Sequence, residues 1–303
     1  GLKLKTRSVE EPTAERVAIG PREGTVENLS VNIGMIRLRL QTPNLKFVKI
    51  QKTGKITGKE VVYGYLDGVV SPEVLRQFEQ RIGRIRNHEL IDTTMVEKLI
   101  QESAYSPFPQ CRFTERTDAA ALALLDGKII VMMEGSGVVL ICPAMFVEFL
   151  QSIEDYYHRF LFTFLIRLLR ATAFILALFL PSIYVALTTF HPELIPTVLL
   201  LAITNTREGI PFPAVVEVII MEFFFELLRE AGIRLPQAVG SAVSIVGALI
   251  IGQAAIDSGI ASPIMIVVVA LTGIASFSIP QYSFAAIKIC LRTIHVKVLA
   301  FQR

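Results

Sequence analysis

Charged side chains interrupt the apolar half of this sequence, and their types and spacing suggest a chemical role. Residues 160–300 consist mostly of Leu, Ile, Val, Phe and Ala. The charged residues near the centre of this stretch are Arg207, Glu208, Glu217, Glu222, Glu226, Arg229, Glu230 and Arg234. A charge in hydrocarbon costs several kcal/mol, so it normally faces a partner helix or a water-filled path. These residues therefore indicate either a helix edge in water or a polar seam in an assembly that moves or senses something across a membrane.

Three of the glutamates share one face of a predicted helix. At 100° per residue, Glu222, Glu226 and Glu230 fall within about 80° of one another, whereas Glu217 lies off that stripe. Arg229 can pair with Glu226, one turn back, or with Glu222, two turns back. In a closed ring of subunits the stripe would become stacked rings of acid, which favour cations.

A less specific interpretation is that some of these charged side chains simply lie among the lipid headgroups on the cytoplasmic side of the membrane and anchor the helix there. It applies to the residues nearest that end of the helix: Glu226, Arg229, Glu230 and Arg234. Glu217 and Glu222 sit deeper, and for them the polar seam is the favoured interpretation.

Small residues characterise the next apolar segment, where Gly247 and Gly252 are the central examples. Small side chains let membrane helices approach closely, so plain helix packing is the favoured interpretation. The alternative is that these glycines line a narrow pore.

Composition excludes several classes of function. The chain has 303 residues, 52% of them apolar, and a net charge of only +3, so nothing suggests a nucleic-acid partner. The mean hydropathy of +0.54 is high for a wholly soluble protein. Cys111, Cys142 and Cys290 are odd in number and far apart, which is typical of reduced thiols and not of a disulfide or zinc framework. No metal-ligand spacing, P-loop or nucleophile elbow appears, so we expect no enzyme activity, metal or cofactor.

Residues 1–150 are predicted to form a soluble α/β domain. Helices are predicted up to about Gln41, from Ser71-Pro72 onward, over Thr94–Glu102 and over Thr114–Leu125. Strands are predicted over Leu45–Gln51, Val61–Leu66, Ile129–Met133 and Val138–Ile141, and the last two form a hairpin.

Residues 171–303 are predicted to form an all-α polytopic membrane domain, and residues 151–170 an amphipathic junction before it. The junction is either an interfacial helix or the start of the first span. Leu194–Thr204 is too short to cross and is predicted to be interfacial or re-entrant. Four crossings are predicted: Ala171–Phe190, Phe212–Leu228, Gly240–Ile256 and Ile264–Ile279. The Lys and Arg clusters place the N-terminal domain on the cytoplasmic side.

Several longer motifs resemble a known family. They are GPREG (20–24), SPFPQ (106–110), TER (114–116), PSIYVALTTFH (181–191), REGIPFPAVVE (207–217), ELLREAGIRLP (226–236) and SIVGALIIGQAA (244–255). This set is similar to the spore germination protein family, which comprises the A subunits of GerA-type nutrient germinant receptors and their SpoVA-linked paralogue. One departure is Thr117, where the family usually has Pro.

The resemblance implies a protein of the spore inner membrane, with its N-terminal domain on the core side. It implies a ligand-gated homo-oligomeric ring that releases monovalent cations, alongside a transporter-like B subunit and a lipoprotein C subunit. It also implies a further N-terminal subdomain and a further apolar segment, so we expect the chain, which starts at Gly1 and stops at Arg303, to be truncated.

The pore or gate candidates are then Glu217, Glu222, Glu226, Gly247 and Gly252. The ion-pair or interface candidates are Arg207, Glu208, Arg229, Glu230 and Arg234. Two alternatives stay open. One is a non-conducting receptor or scaffold subunit, and the other is a secondary transporter, whose hallmark would be an internal repeat that the spans do not show.

Overall fold

A computed structural model shows two compact units, Gly1–Thr163 and Phe164–Arg303. The structure describes residues 9–278 and 280, except residues 13, 14, 16, 18, 104, 105, 107 and 236, and the side chains of 51, 52, 233 and 237–245 are likewise outside the description. The boundary between the units falls within the junction that the sequence predicts over residues 151–170.

The first unit is a five-stranded antiparallel sheet with α-helices on both faces. Its elements in chain order are α1 (Leu29–Arg39), β1 (Leu45–Thr53), β2 (Lys59–Leu66), α2 (Pro72–Ile82), α3 (Thr93–Ile100), β3 (Arg112–Thr114), α4 (Thr117–Leu125), β4 (Ile129–Met133) and β5 (Val139–Cys142). The strand order is β1-β2-β4-β5-β3, and every neighbouring pair is antiparallel. Short 3₁₀ turns follow over Phe146–Leu150 and Ile153–Tyr156.

Alternation along the central strands explains the two apolar cores. Ile129, Val131 and Met133 point to the face covered by α2 and α3, whereas Ile130 and Met132 point to the face covered by α1 and α4. Successive side chains of a strand point to opposite faces, so a strand covered on both sides must be apolar throughout. All of β4 and β5 is buried accordingly.

The structure confirms an α/β unit in the N-terminal half, with one local correction. The sequence predicts a single helix over Thr114–Leu125, but Arg112–Thr114 forms β3 and α4 begins only at Thr117. A three-residue edge strand is too short to show an alternating pattern, so the sequence does not reveal it.

The second unit is helical. Its helices are α5 (Phe160–Thr189), which begins just before the unit boundary, α6 (Thr197–Thr206), α7 (Ala214–Arg234), α8 (Gln237–Asp257) and α9 (Pro263–Phe277). Helix α5 runs unbroken through residues 160–171, so the second half of the predicted junction is continuous with the first apolar helix.

Among the described residues, α5 is the one helix long and apolar enough to cross a membrane. Its 30 residues extend about 45 Å, more than the hydrocarbon core of a bilayer. Many of its apolar side chains face outward, among them Phe160 and Leu161 at 85% and 69% exposure. The three other predicted crossings stay predictions, and the last of them ends at Ile279, outside the described residues. Helix α6, with ten residues, has the short length expected of the predicted re-entrant or interfacial segment.

Candidate functional site

A buried ion pair lies at the start of α7. The carboxylate of Glu217 is fully buried and accepts a hydrogen bond of 2.9 Å from the Arg207 guanidinium. Its other oxygen accepts a hydrogen bond of 3.0 Å from the backbone N–H of Ser262. The Ser262 hydroxyl in turn caps α9 by accepting from the N–H of Met265. One carboxylate therefore joins the α6–α7 loop, the first turn of α7 and the start of α9.

The local sequence explains how Arg207 reaches that carboxylate. Arg207 ends α6, and Gly209 takes a positive φ of 87°, a conformation that side chains disfavour. The loop then returns through Pro211 and Pro213, and α7 begins directly after Pro213. The guanidinium also lies 3.4 Å from the carbonyl oxygen of Phe212, and this contact stabilises the α6–α7 loop.

The remaining charges of α7 pair along the helix. Arg229 is hydrogen-bonded to Glu226 three residues back; the Arg229 side chain is largely buried and that of Glu226 is half-buried. Arg234 donates to Glu230 over 2.6 Å, but both of these side chains are exposed. Glu222 is partly buried. The structure thus shows the Arg229–Glu226 pair that the helical spacing predicts, together with the pairs Arg207–Glu217 and Arg234–Glu230. Glu208 is exposed to solvent.

Glycines set the distance between the helices of this unit. A Cβ at Gly247 of α8 would lie 2.8 Å from Leu228 of α7, so the two helices are in close contact there. Gly252 is buried and faces Ile266 of α9 at an ordinary contact distance of 3.7 Å. Gly273 was not among the sequence candidates, yet the ring of Phe225 packs against it in the space that a Cβ would occupy. These contacts are those of helix packing, the favoured interpretation of the small residues.

A second buried network lies in the α/β unit, where two of the family-like motifs meet. The guanidinium of Arg116, which is 1% exposed, donates to both oxygens of Asp118 at 3.0 and 2.8 Å and to the carbonyl of Pro21 at 2.7 Å. The Tyr157 hydroxyl donates to Asp118 over 2.6 Å, and its ring packs on Gly20. The network therefore ties the N-terminal segment to residues directly before α5.

The electrostatics of this network favour the ion pair. Burial opposes ionisation of Asp118, but hydrogen bonds from Arg116 and Tyr157 hold its pKa below the usual value. Burial and the hydrogen bond to Asp118 raise the pKa of Tyr157 to about 12, so this hydroxyl stays a donor at neutral pH. Thr117, the departure from the family pattern, accepts a hydrogen bond of 3.0 Å from Arg39 beside the same network.

The fold and the buried charges define a two-unit protein, with an antiparallel α/β unit followed by apolar helices that enclose an arginine–glutamate pair. Residues 2–302 match the family described as Bacillus/Clostridium GerA spore germination protein. The chain belongs to this family of spore germination proteins.

Named relatives agree with this assignment. The chain is 47% identical to spore germination protein KA of Bacillus subtilis over 92% of its own length and 51% of that protein. It is 42% identical to spore germination protein GerLA of Bacillus cereus over 91% of its length and 56% of that protein. The chain thus spans about half the length of the curated relatives it matches.

A solved structure is also similar to part of the chain. It is the crystal structure of the N-terminal domain of the A subunit of the Bacillus megaterium spore germinant receptor GerK3. The sequence identity is 30%, the match covers 41% of this chain and 97% of that one, and the TM-score is 0.32.

Proposed function

We propose that this chain is the A-type subunit of a nutrient germinant receptor in the spore inner membrane, and that copies of it form a ring passing monovalent cations. Its α/β unit would lie on the core side. The partners would be a transporter-like B subunit and a lipoprotein C subunit, and no catalytic role is proposed. The observation that carries the proposal is the set of half-buried carboxylates, Glu222 and Glu226, on a helix that is otherwise largely apolar.

Gating would be a population shift between a closed and an open arrangement of the ring. Arg229 neutralises Glu226 in this structure, and a neutralised carboxylate attracts cations weakly. An open ring would require Glu226 to exchange this partner for water or a cation. The fully buried Glu217 would hold α7 and α9 together and would not contact the ions.

Cation flux from liposomes tests the proposal. The full-length protein would be reconstituted with its partner subunits and a germinant, and compared with Glu222→Gln and Glu226→Gln. We expect flux on germinant addition and altered ion selectivity in both variants. The matched control is Glu230→Gln on the same helix, whose exposed carboxylate already pairs with Arg234 and whose removal should leave selectivity unchanged.

A second candidate is a receptor or scaffold subunit that couples partner proteins without conducting. The observation that favours it is that Glu217 pairs with Arg207 and Glu226 pairs with Arg229 within the subunit. Carboxylates paired in this way can stabilise a rigid helical unit as readily as they can line an ion path. The same experiment separates the two candidates. Assembly of the complete receptor without flux in any state would reject the channel and support the scaffold.

A further inference from the structure

Two cysteines that are far apart in the sequence lie opposite each other in the sheet. Arg112 of β3 pairs with Ile141 of β5, so one step back along this antiparallel register places Cys111 opposite Cys142. Just beyond them, the Ala144 N–H donates a backbone hydrogen bond of 2.9 Å to the Gln110 carbonyl and joins the same two chain segments. Their sulfur atoms are 2.8 Å apart, and both are free thiols. Directly opposite residues of antiparallel strands have the Cα separation that a disulfide requires.

A cavity leads to this thiol pair. Its volume is about 310 Å³, and both cysteines contribute to its lining. Phe78 and Ile100 supply apolar wall, while Arg81 and Gln110 supply polar groups. The cavity has room for a molecule much larger than water, and it borders Cys111 and Cys142 although these residues are only 3% and 4% exposed.

We propose that Cys111 and Cys142 form an oxidative modification site, in which a small peroxide entering the cavity converts the two thiols into an intramolecular disulfide. One sulfur attacks the O–O bond of the peroxide, giving a sulfenic acid and one molecule of water or alcohol. The second thiol then attacks the sulfenic sulfur, the S–S bond forms, and water leaves. Two thiols are oxidised, one peroxide is reduced, and the two thiol protons leave in the products.

The surroundings make the resting pair slow to react. Burial, the neighbouring Cys111 and the charge of Glu97 all raise the pKa of the Cys142 thiol. Because the thiolate is the reactive form, a raised pKa slows the reaction of the pair, and we expect it to respond only to sustained oxidant. The bond would join the end of the loop before β3 to the end of β5, which are two walls of the cavity.

The test uses the full chain with Cys290→Ser, so that only the pair remains. The protein is incubated with hydrogen peroxide, denatured, and its thiols are counted by alkylation. We expect loss of both thiols, an intact mass lower by two hydrogens, a peptide linking 111 to 142, and full recovery with a reductant. Persistence of both thiols, a gain of oxygen without a crosslink, or a crosslink between two chains would overturn the proposal.

Single variants provide the matched controls. When Cys111→Ser or Cys142→Ser is added to the Cys290→Ser chain, the remaining sulfur has no partner, so no intramolecular crosslink can form and peroxide should add oxygen instead. The oxidised protein should also melt several degrees above its reduced form, because the new bond restricts the unfolded chain, and reductant should abolish the difference. Equal melting temperatures of the crosslinked and the reduced protein would contradict this expected stabilisation.

Discussion

At the scale of single residues, Glu217 is a carboxylate that lies fully buried in the helical unit. A fully buried carboxylate is tolerated only when charge and hydrogen bonds compensate it, and here Arg207 and the Ser262 N–H supply both. The two partners differ in exposure: the Arg207 side chain is 22% exposed, whereas that of Glu217 is fully buried. Arg207 can therefore be hydrated when it loses its partner, but Glu217 cannot. Loss of the arginine should therefore be more harmful than neutralisation of the acid.

We predict that Arg207→Ala lowers the free energy of unfolding by about 3 kcal/mol, since it leaves a buried charge without its partner. Glu217→Gln should cost less, because the amide oxygen can still accept from Ser262. Thermal or denaturant unfolding in detergent measures both. In the double variant the loss should be smaller than the sum of the single losses; strictly additive losses would show that the pair is not coupled.

In the α/β unit, the carboxylate of Glu89 should make the stability of the β1–β2 loop depend on pH. This carboxylate accepts hydrogen bonds from the backbone N–H groups of Thr57, Ile56 and Lys55 in the β1–β2 loop, and these lower its pKa to about 2. A lowered pKa means that the ionised form stabilises the folded loop. This contribution is complete at neutral pH and is lost as the pH falls from about 4.5 towards about 2.

Hydrogen exchange of the loop amides checks this prediction. Protection of residues 55–57 should decrease over that pH interval, and Glu89→Gln should show reduced protection already at neutral pH. The control is Glu60→Gln, on the same hairpin, whose carboxylate pairs with Lys49 instead. Equal protection in wild type and Glu89→Gln at neutral pH would mean that the carboxylate does not hold the loop.

At the scale of elements, the contact between α7 and α9 depends on Gly273. The ring of Phe225 occupies the position that a Cβ would take. We predict that Gly273→Ala destabilises the helical unit by about 2 kcal/mol through overpacking, measured as thermal stability in detergent. Gly252→Ala is the matched control, because its Cβ would meet Ile266 at an ordinary 3.7 Å. Equal effects of the two substitutions would contradict the packing argument.

At the scale of the whole molecule, each unit has its own apolar core. The cores of the α/β unit lie on the two faces of its sheet, and that of the helical unit centres on residues such as Val185, Val218 and Met265. We predict that residues 1–159 alone are soluble and unfold cooperatively. Extension to residue 170 adds exposed apolar side chains of α5 and should cause aggregation without detergent. A fragment 1–159 that fails to unfold cooperatively would show that its core is incomplete.

The sequence by itself determined the class of each unit. Short continuous apolar runs such as Ile129–Met133 predicted strands, and the longer apolar run over residues 171–190 predicted a long helix, because these patterns reflect which faces of an element are buried. Helical spacing also predicted which charged residues of α7 share one face of the helix. Local pattern missed β3, whose three residues are too few to show a period.

Only the tertiary structure decided which residues of separate elements meet. Arg207 and Glu217 are ten residues apart and Ser262 lies 45 residues beyond, so no local spacing predicts their contact. Cys111 and Cys142 were interpreted from the sequence as distant thiols, yet the order of strands makes them neighbours. Helix and strand patterns are set by burial within a few residues, whereas ion pairs, thiol pairs and the fit of Phe225 on Gly273 depend on how separate elements pack.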